Sequence, residues 1–197
     1  MSDPKTLFQL TGRGYAPATL SKATLLIIDA QEEYRSGVLQ LPDVDATCTQ
    51  IGTLLHAARH LGTPVVHVRH LGIPGGLLDP QGPRGHFIAG LEPQPGELVI
   101  EKRLPNAFAG TELHDGLQQL GHLDLIVCGF MTHSSISTTV RAAKDYGYRC
   151  TLVDSACATR DLPYAGELID ARQLHRIEMA ALADNYAIVV PQAQALI

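Results

Sequence analysis

The chain has no tryptophan, and aromatic residues make up only 5% of its 197 positions. It therefore lacks the stacking platforms that grip single-stranded nucleic acid. Basic residues are also scarce: 15 Lys and Arg against 20 Asp and Glu leave a formal charge of −5. No block of them forms a footprint for a phosphate backbone, so nucleic acid is not an expected partner. Cysteine is confined to Cys48, Cys128, Cys150 and Cys157, without CxxC spacing, and disulfides are not expected. No apolar run approaches the roughly 20 residues that span a bilayer, and none stands before a cleavage site at the N-terminus. The expected setting is the reducing cytoplasm, without a membrane partner. G-x-S-x-G, G-x-G-x-x-G and the P-loop lysine signature are missing too, which leaves elbow-type serine hydrolysis, dinucleotide binding and phosphoryl transfer unsupported.

What the chain does have is a series of short apolar runs: 23–30, 63–70, 96–103, 123–130, 149–156 and 186–191. They are continuous and rich in Val, Ile and Leu, the pattern of strands buried on both faces. Segments of helical period lie between them. Asp43 is placed to cap a helix carrying Val44, Cys48, Ile51, Leu55 and Ala58 on one face, with Gly62 ending it. Thr111 opens a second, closed by Gly121; a third carries Ile136, Val140 and Ala143; a fourth, over 166–184, carries Leu174, Ile177 and Ala181. The alternation predicts an α/β fold: a Rossmann-like three-layer sandwich with a six-stranded parallel sheet and helices on both faces. The length fits a single domain over 1–197. Residues 1–22 read as an irregular arm. Residues 72–96 are almost half Gly and Pro, and a connection that long is read as a substrate lid, a subunit contact or a decorative insertion.

Ligands of open parallel sheets bind beyond the carboxyl ends of the strands, where the strand order reverses. Three polar groups stand at such ends. Asp29 closes LLIID, Lys102 closes VIEK, and LDLIVCGF runs into Thr132, His133, Ser134 and Ser135 at the start of a helix. A carboxylate beside a buried strand needs a partner, which Lys102 can supply. Taken singly, each has a plain reading: a structural ion pair, a strand leaving the core, an N-cap. Together they offer an acid, an amine and a hydroxyl facing free backbone N–H groups that can hold an oxyanion.

These residues resemble the isochorismatase-like, or cysteine hydrolase, superfamily, in the stretches LLIIDAQEEY, VIEKRLPNAFAGTEL, GFMTHSSISTTVRAA and VDSACATRDL. The resemblance covers roughly residues 20–190. It implies a homo-oligomer (dimer or tetramer), no cofactor, a small-molecule substrate and an Asp-Lys-Cys triad that cleaves a C–N bond of a linear amide. Asp29 and Lys102 fall on the first two members. Gly129, Thr132 and Ser135 occupy the pattern G-x-x-T-x-x-C, so serine stands where the family has its nucleophile. By the same carry-over the Phe130–Met131 peptide is cis, and the backbone N–H groups of Met131 and Ser135 form the oxyanion hole. Gln31, Tyr34, His70, Phe108, Thr132 and His133 are placed as substrate contacts, with His133 a weaker candidate for a helping base.

Serine at position 135 has three readings: a replacement made to trap a ligand, a natural hydrolase that uses serine or an activated water, and a divergent small-anion binder. Isochorismatases proper lack the nucleophile and protonate a vinyl ether with the aspartate, so that chemistry stays open as well. Nicotinamidases in the superfamily carry a D-x-H…H metal site. Here the equivalent stretch has His67 and His70, which face opposite sides of an extended strand, and no metal is expected. His67 and Cys157 read as core packing.

Overall fold

The computed structural model describes residues 3–197. Six parallel strands form the main sheet: β1 Thr24–Ile28, β2 Val65–His70, β3 Leu98–Lys102, β4 Asp124–Phe130, β5 Arg149–Ala158 and β8 Ala187–Val190, in the order β3-β2-β1-β4-β5-β8. All six expected runs are strands. Every residue of β1 is buried, as are all of β4 after Asp124. This is why these runs show no alternation of apolar and polar residues. The chain moves outward from β1 through β2 to β3, then returns to place β4 on the other side of β1. The order therefore reverses between β1 and β4, and the crevice at their carboxyl ends is the place for a ligand.

The helices flank this sheet. Helix α3 (Val44–Leu61) buries Val44, Thr47, Ile51, Leu54, Leu55 and Ala58, a stripe of helical period. Asp43 stands at its N-cap position with φ 54° and makes no capping hydrogen bond through its side chain. The helix begins there through packing, without the expected cap. Helix α4 (Leu113–Leu120) starts two residues after Thr111, whose hydroxyl accepts from the Leu113 N–H at 3.2 Å. Helix α5 (Ser137–Asp145) follows β4 through a wide turn over Thr132–Ile136 with i→i+5 character.

Two expectations need correction. The segment 1–22 is not irregular throughout: α1 (Leu7–Thr11) is a short helix closed by a reciprocal capping box between Thr6 and Gln9, and Leu20–Lys22 form a 3₁₀ turn. Residues 162–169, half of them read as helix, form a hairpin of β6 (Leu162–Tyr164) and β7 (Glu167–Ile169). Ala165 and Gly166 both adopt positive φ there, the mirror-image turn that suits a two-residue connection. Helix α6 (Ala171–Asn185) accordingly starts later and buries Ala171, Met179 and Leu182, leaving Ile177 exposed. The remaining helix, α2 (Glu33–Ser36), is a single turn after β1.

Candidate active site

At the carboxyl ends of the strands the backbone is bent to a purpose. Asp29, the residue after β1, has φ 53°, a left-handed conformation that costs an ordinary residue about 1–2 kcal/mol. Beside it, Gly129 has φ 122°, and a Cβ there would lie 2.0 Å from the Ile28 carbonyl oxygen. Only glycine lets β4 pass that close before the chain turns. The Phe130–Met131 peptide is cis. The Met131 carbonyl then accepts from the N–H groups of Ser134 (3.0 Å) and Ile136 (3.2 Å), while the Ser135 N–H between them makes no backbone hydrogen bond to it.

Three side chains from three strand ends converge here. Lys102 Nζ lies 2.7 Å from Asp29 Oδ2 and donates to Ser135 Oγ at 3.0 Å. Asp29, Lys102 and Ser135 are 0%, 1% and 5% exposed. Lys102 pairs in register with His70 at the end of β2, and its ammonium stands 3.3 Å from His70 Nδ1 as it crosses β2 to reach Asp29. The ammonium–carboxylate contact is an ion pair without good hydrogen-bond alignment. Among the described residues neither Asp29 oxygen has an aligned hydrogen-bond donor. Burial raises the Asp29 carboxyl above the ordinary carboxylate value, a shift that Lys102 and the Ser135 hydroxyl only partly offset. His70 is held below its usual value by burial and by Lys102, so it faces the ammonium as a neutral ring.

The other expected contacts divide. Tyr34 is buried against Phe130, with ring centroids 5.6 Å apart. Burial, with the charge of Asp29, raises its phenol far above the usual range. The structure uses Gln31 differently: its carboxamide donates to the carbonyls of His70 (3.0 Å) and Gly85 (2.9 Å) and accepts from the His70 N–H (2.8 Å). It ties the connection 72–96 to the end of β1 instead of facing a ligand. Phe108 is likewise turned elsewhere, stacked on Tyr146 and Tyr148. Those rings follow α5, about 13 Å along the helix from its start beside Ser135. Thr132 and His133 point to neighbouring elements, Thr132 Oγ1 to His175 Nδ1 at 2.9 Å and His133 Nδ1 to the Thr159 hydroxyl. Burial lowers the pKa of His133, and Arg160 adds to the effect.

Arg160 was not singled out in the sequence. Its Nε is buried with no hydrogen-bond partner among the described residues, and its charge reaches both Tyr34 and His133. The signal was its place in VDSACATRDL, directly after a strand end. His67 lies apart, fully buried with Nε2 2.9 Å from Glu97, which Arg59 also holds at 2.7 Å. Among the described residues no group of three or more His, Cys, Asp or Glu is placed to hold a metal ion, and no helix is long and apolar enough to cross a membrane. Cys128 and Cys157 are buried, and burial pushes both thiols up.

Because the Gln31 carboxamide satisfies three backbone groups at once, Gln31→Ala is expected to cost about 1–3 kcal/mol. Chemical denaturation measures it, and faster proteolysis within 72–96 should accompany the loss.

A parallel α/β sheet with a buried acid, amine and hydroxyl at its topological switch point defines a hydrolase-type α/β enzyme. Residues 23–194 match the isochorismatase domain, and the chain belongs to that family. It is similar to an isochorismatase from Pseudomonas putida KT2440 of known crystal structure, with 62% identity, a TM-score of 0.96, and 99% of this chain and 100% of that one covered. It is also similar to a streptothricin hydrolase of Streptomyces noursei, 35% identical over 87% of this chain and 69% of the relative. A maleamate amidohydrolase of Pseudomonas putida is 28% identical over 76% of this chain and 78% of the relative. The protein is an isochorismatase-family hydrolase.

Proposed function

We propose that the protein hydrolyses a C–N bond of a small linear amide, with Ser135 as nucleophile, Asp29 as proton carrier and Lys102 as electrostatic partner. One observation carries this reading: the 2.7 and 3.0 Å contacts that join Asp29, Lys102 and Ser135 in one buried cluster. The amide class is supported by the maleamate amidohydrolase among the relatives.

Asp29 takes the proton of Ser135 Oγ as the oxygen attacks the amide carbonyl, and Lys102 stabilises the charge developing on Oγ. The carbonyl oxygen becomes an oxyanion held by the N–H groups of Met131 and Ser135, the second of which does not bond the Met131 carbonyl as its neighbours do. Collapse passes the proton from Asp29 to the leaving nitrogen, and an acyl ester remains on Ser135. Water, losing its proton to Asp29, attacks the ester; the acid leaves and the proton returns to Oγ. Arg160, with its unpartnered Nε, supplies positive charge near Tyr34 for an anionic group on the substrate.

A second reading is favoured by burial, which shifts Asp29 toward its protonated form: a carboxylic acid there can protonate a vinyl ether without a covalent step. A substrate panel separates the two. Amide turnover lost in both Ser135→Ala and Asp29→Asn supports the first. Vinyl ether turnover that survives Ser135→Ala but not Asp29→Asn supports the second, and binding without turnover by the parent and by Ser135→Cys overturns both.

A further inference from the structure

The turn that carries Ser135 is pinned at both ends by one helix. On α6, His175 Nδ1 meets Thr132 Oγ1 at 2.9 Å. Three residues further along the same helix, Glu178 Oε1 accepts from the Ser137 hydroxyl at 2.5 Å and from Arg141 Nη2 at 3.0 Å. Residues three apart on a helix share a face, so a single face of α6 grips the residues at the start and just beyond the end of the segment Thr132–Ile136. Thr132 is completely buried, and a buried hydroxyl that loses its partner will move to find another. Arg141 Nε also donates to Ser137 Oγ at 3.1 Å, which closes the second grip into a three-membered network.

His175 has its own support. Its Nε2 lies 3.3 Å from Asp154 Oδ1 on β5. With Nε2–H donating to that carboxylate, Nδ1 is left to accept from the Thr132 hydroxyl. The link thus runs from the solvent-facing Asp154 through His175 to the residue that follows Met131.

We propose that His175 is a positioning residue, which through Thr132 sets the turn that aims Ser135 at Lys102, with Glu178 holding the far end. The proposal rests on the reading of Ser135 as the reacting position. His175 touches neither the triad nor the reacting atoms, and its effect is on where position 135 stands.

The test needs no substrate. In a Ser135→Cys background the new thiol lies beside Lys102, with Asp29 and His70 as the other titrating neighbours, and a nearby cation favours the reactive thiolate. Alkylation by iodoacetamide, followed by mass across a pH series, then reports the position of the sulfur relative to Lys102. The native thiols are poor competitors: three are buried, and burial pushes that of the half-buried Cys48 up to about 11. Adding His175→Ala is expected to slow alkylation about 10- to 100-fold at neutral pH and move the profile to higher pH. His175→Asn places its amide where Nδ1 stood and should keep the parental rate; His175→Gln reaches toward Asp154 and should behave like the alanine variant. If His175→Ala does not fold, the Asn and Gln variants, alike in polarity, decide alone. A parent thiol no faster than Cys48 overturns the Ser135 reading and the proposal with it. An activated parent that is indifferent to all three changes, or equally impaired by Asn and Gln, overturns the positioning role alone.

Discussion

Ser135→Cys is expected to raise the turnover of small linear amides by about 10²–10⁴-fold, the range that a well-matched proton transfer contributes to an enzymatic step. The geometry for a thiolate is already in place. Lys102 donates to the 135 side chain at 3.0 Å, and the same ammonium lies 2.7 Å from Asp29. A thiol has a reference pKa of about 8.5, within reach of such a base and cation, whereas an aliphatic hydroxyl must be deprotonated as it attacks. The exchange adds no atom and makes no new branch, so the turn over Thr132–Ile136 has nothing to accommodate beyond a larger sulfur. The check is kcat/KM for parent, Ser135→Cys and Ser135→Ala on one amide panel. A cysteine form no better than the alanine form would remove position 135 from the chemistry. A cysteine form that traps an acyl group visible by mass would place the nucleophile directly.

The separate pieces of this site were not equally legible. Asp29 and Lys102 could be found because each is a charged residue ending an apolar run, a local contrast that the sheet geometry turns into a shared location. Gly129 and Ser135 could be found through the resemblance to the pattern G-x-x-T-x-x-C, and the structure shows why its glycine is needed: it stands where β1 comes within contact. Gln31 was misread because its partners, the backbone of His70 and Gly85, are 39 and 54 residues away. An exposed ligand contact and a fully satisfied buried carboxamide look alike in sequence. The partners of Phe108 were hidden for a related reason: Tyr146, on which its ring stacks, lies far along the chain.

The hairpin at 162–169 was missed because strands of three residues leave no periodic signal, and Ala165 is an unusual choice for a positive φ. Once that hairpin takes up the start of the expected helix, the buried face of α6 shifts to Ala171, Met179 and Leu182. His175 and Glu178 had no motif at all. Their partners, Thr132 and Ser137, lie 43 and 41 residues earlier, and only packing of α6 against the turn brings them together. Strand ends and tight turns are written locally; the supports behind them are written in tertiary contacts.

Replacing the buried pair as a unit should give a dead but sturdier protein. Asp29→Asn alone removes the proton carrier and leaves the Lys102 ammonium fully buried without its counterion, a loss of about 3–5 kcal/mol by comparison with other broken buried pairs. Lys102→Met alone leaves a buried carboxyl that must hold its proton. Asn and Met together leave no buried charge, and exchanges of this kind are neutral or stabilising by about 1–4 kcal/mol. The pH dependence adds a second signature. The Asp29 carboxyl titrates above its ordinary value of 3.8 in the folded chain, so the folded state binds that proton more tightly than the unfolded one. Its contribution is fully present below the unfolded pKa and is lost as pH rises through the folded pKa. The parent should therefore lose stability across that window, and the double variant should lack that component of the slope. Denaturant titrations of the parent, both single variants and the double variant over a pH series measure both effects in one cycle. A double variant less stable than either single variant would mean that the pair contributes more to the fold than burial of two charges allows, and that the site is not held at an energetic cost for catalysis.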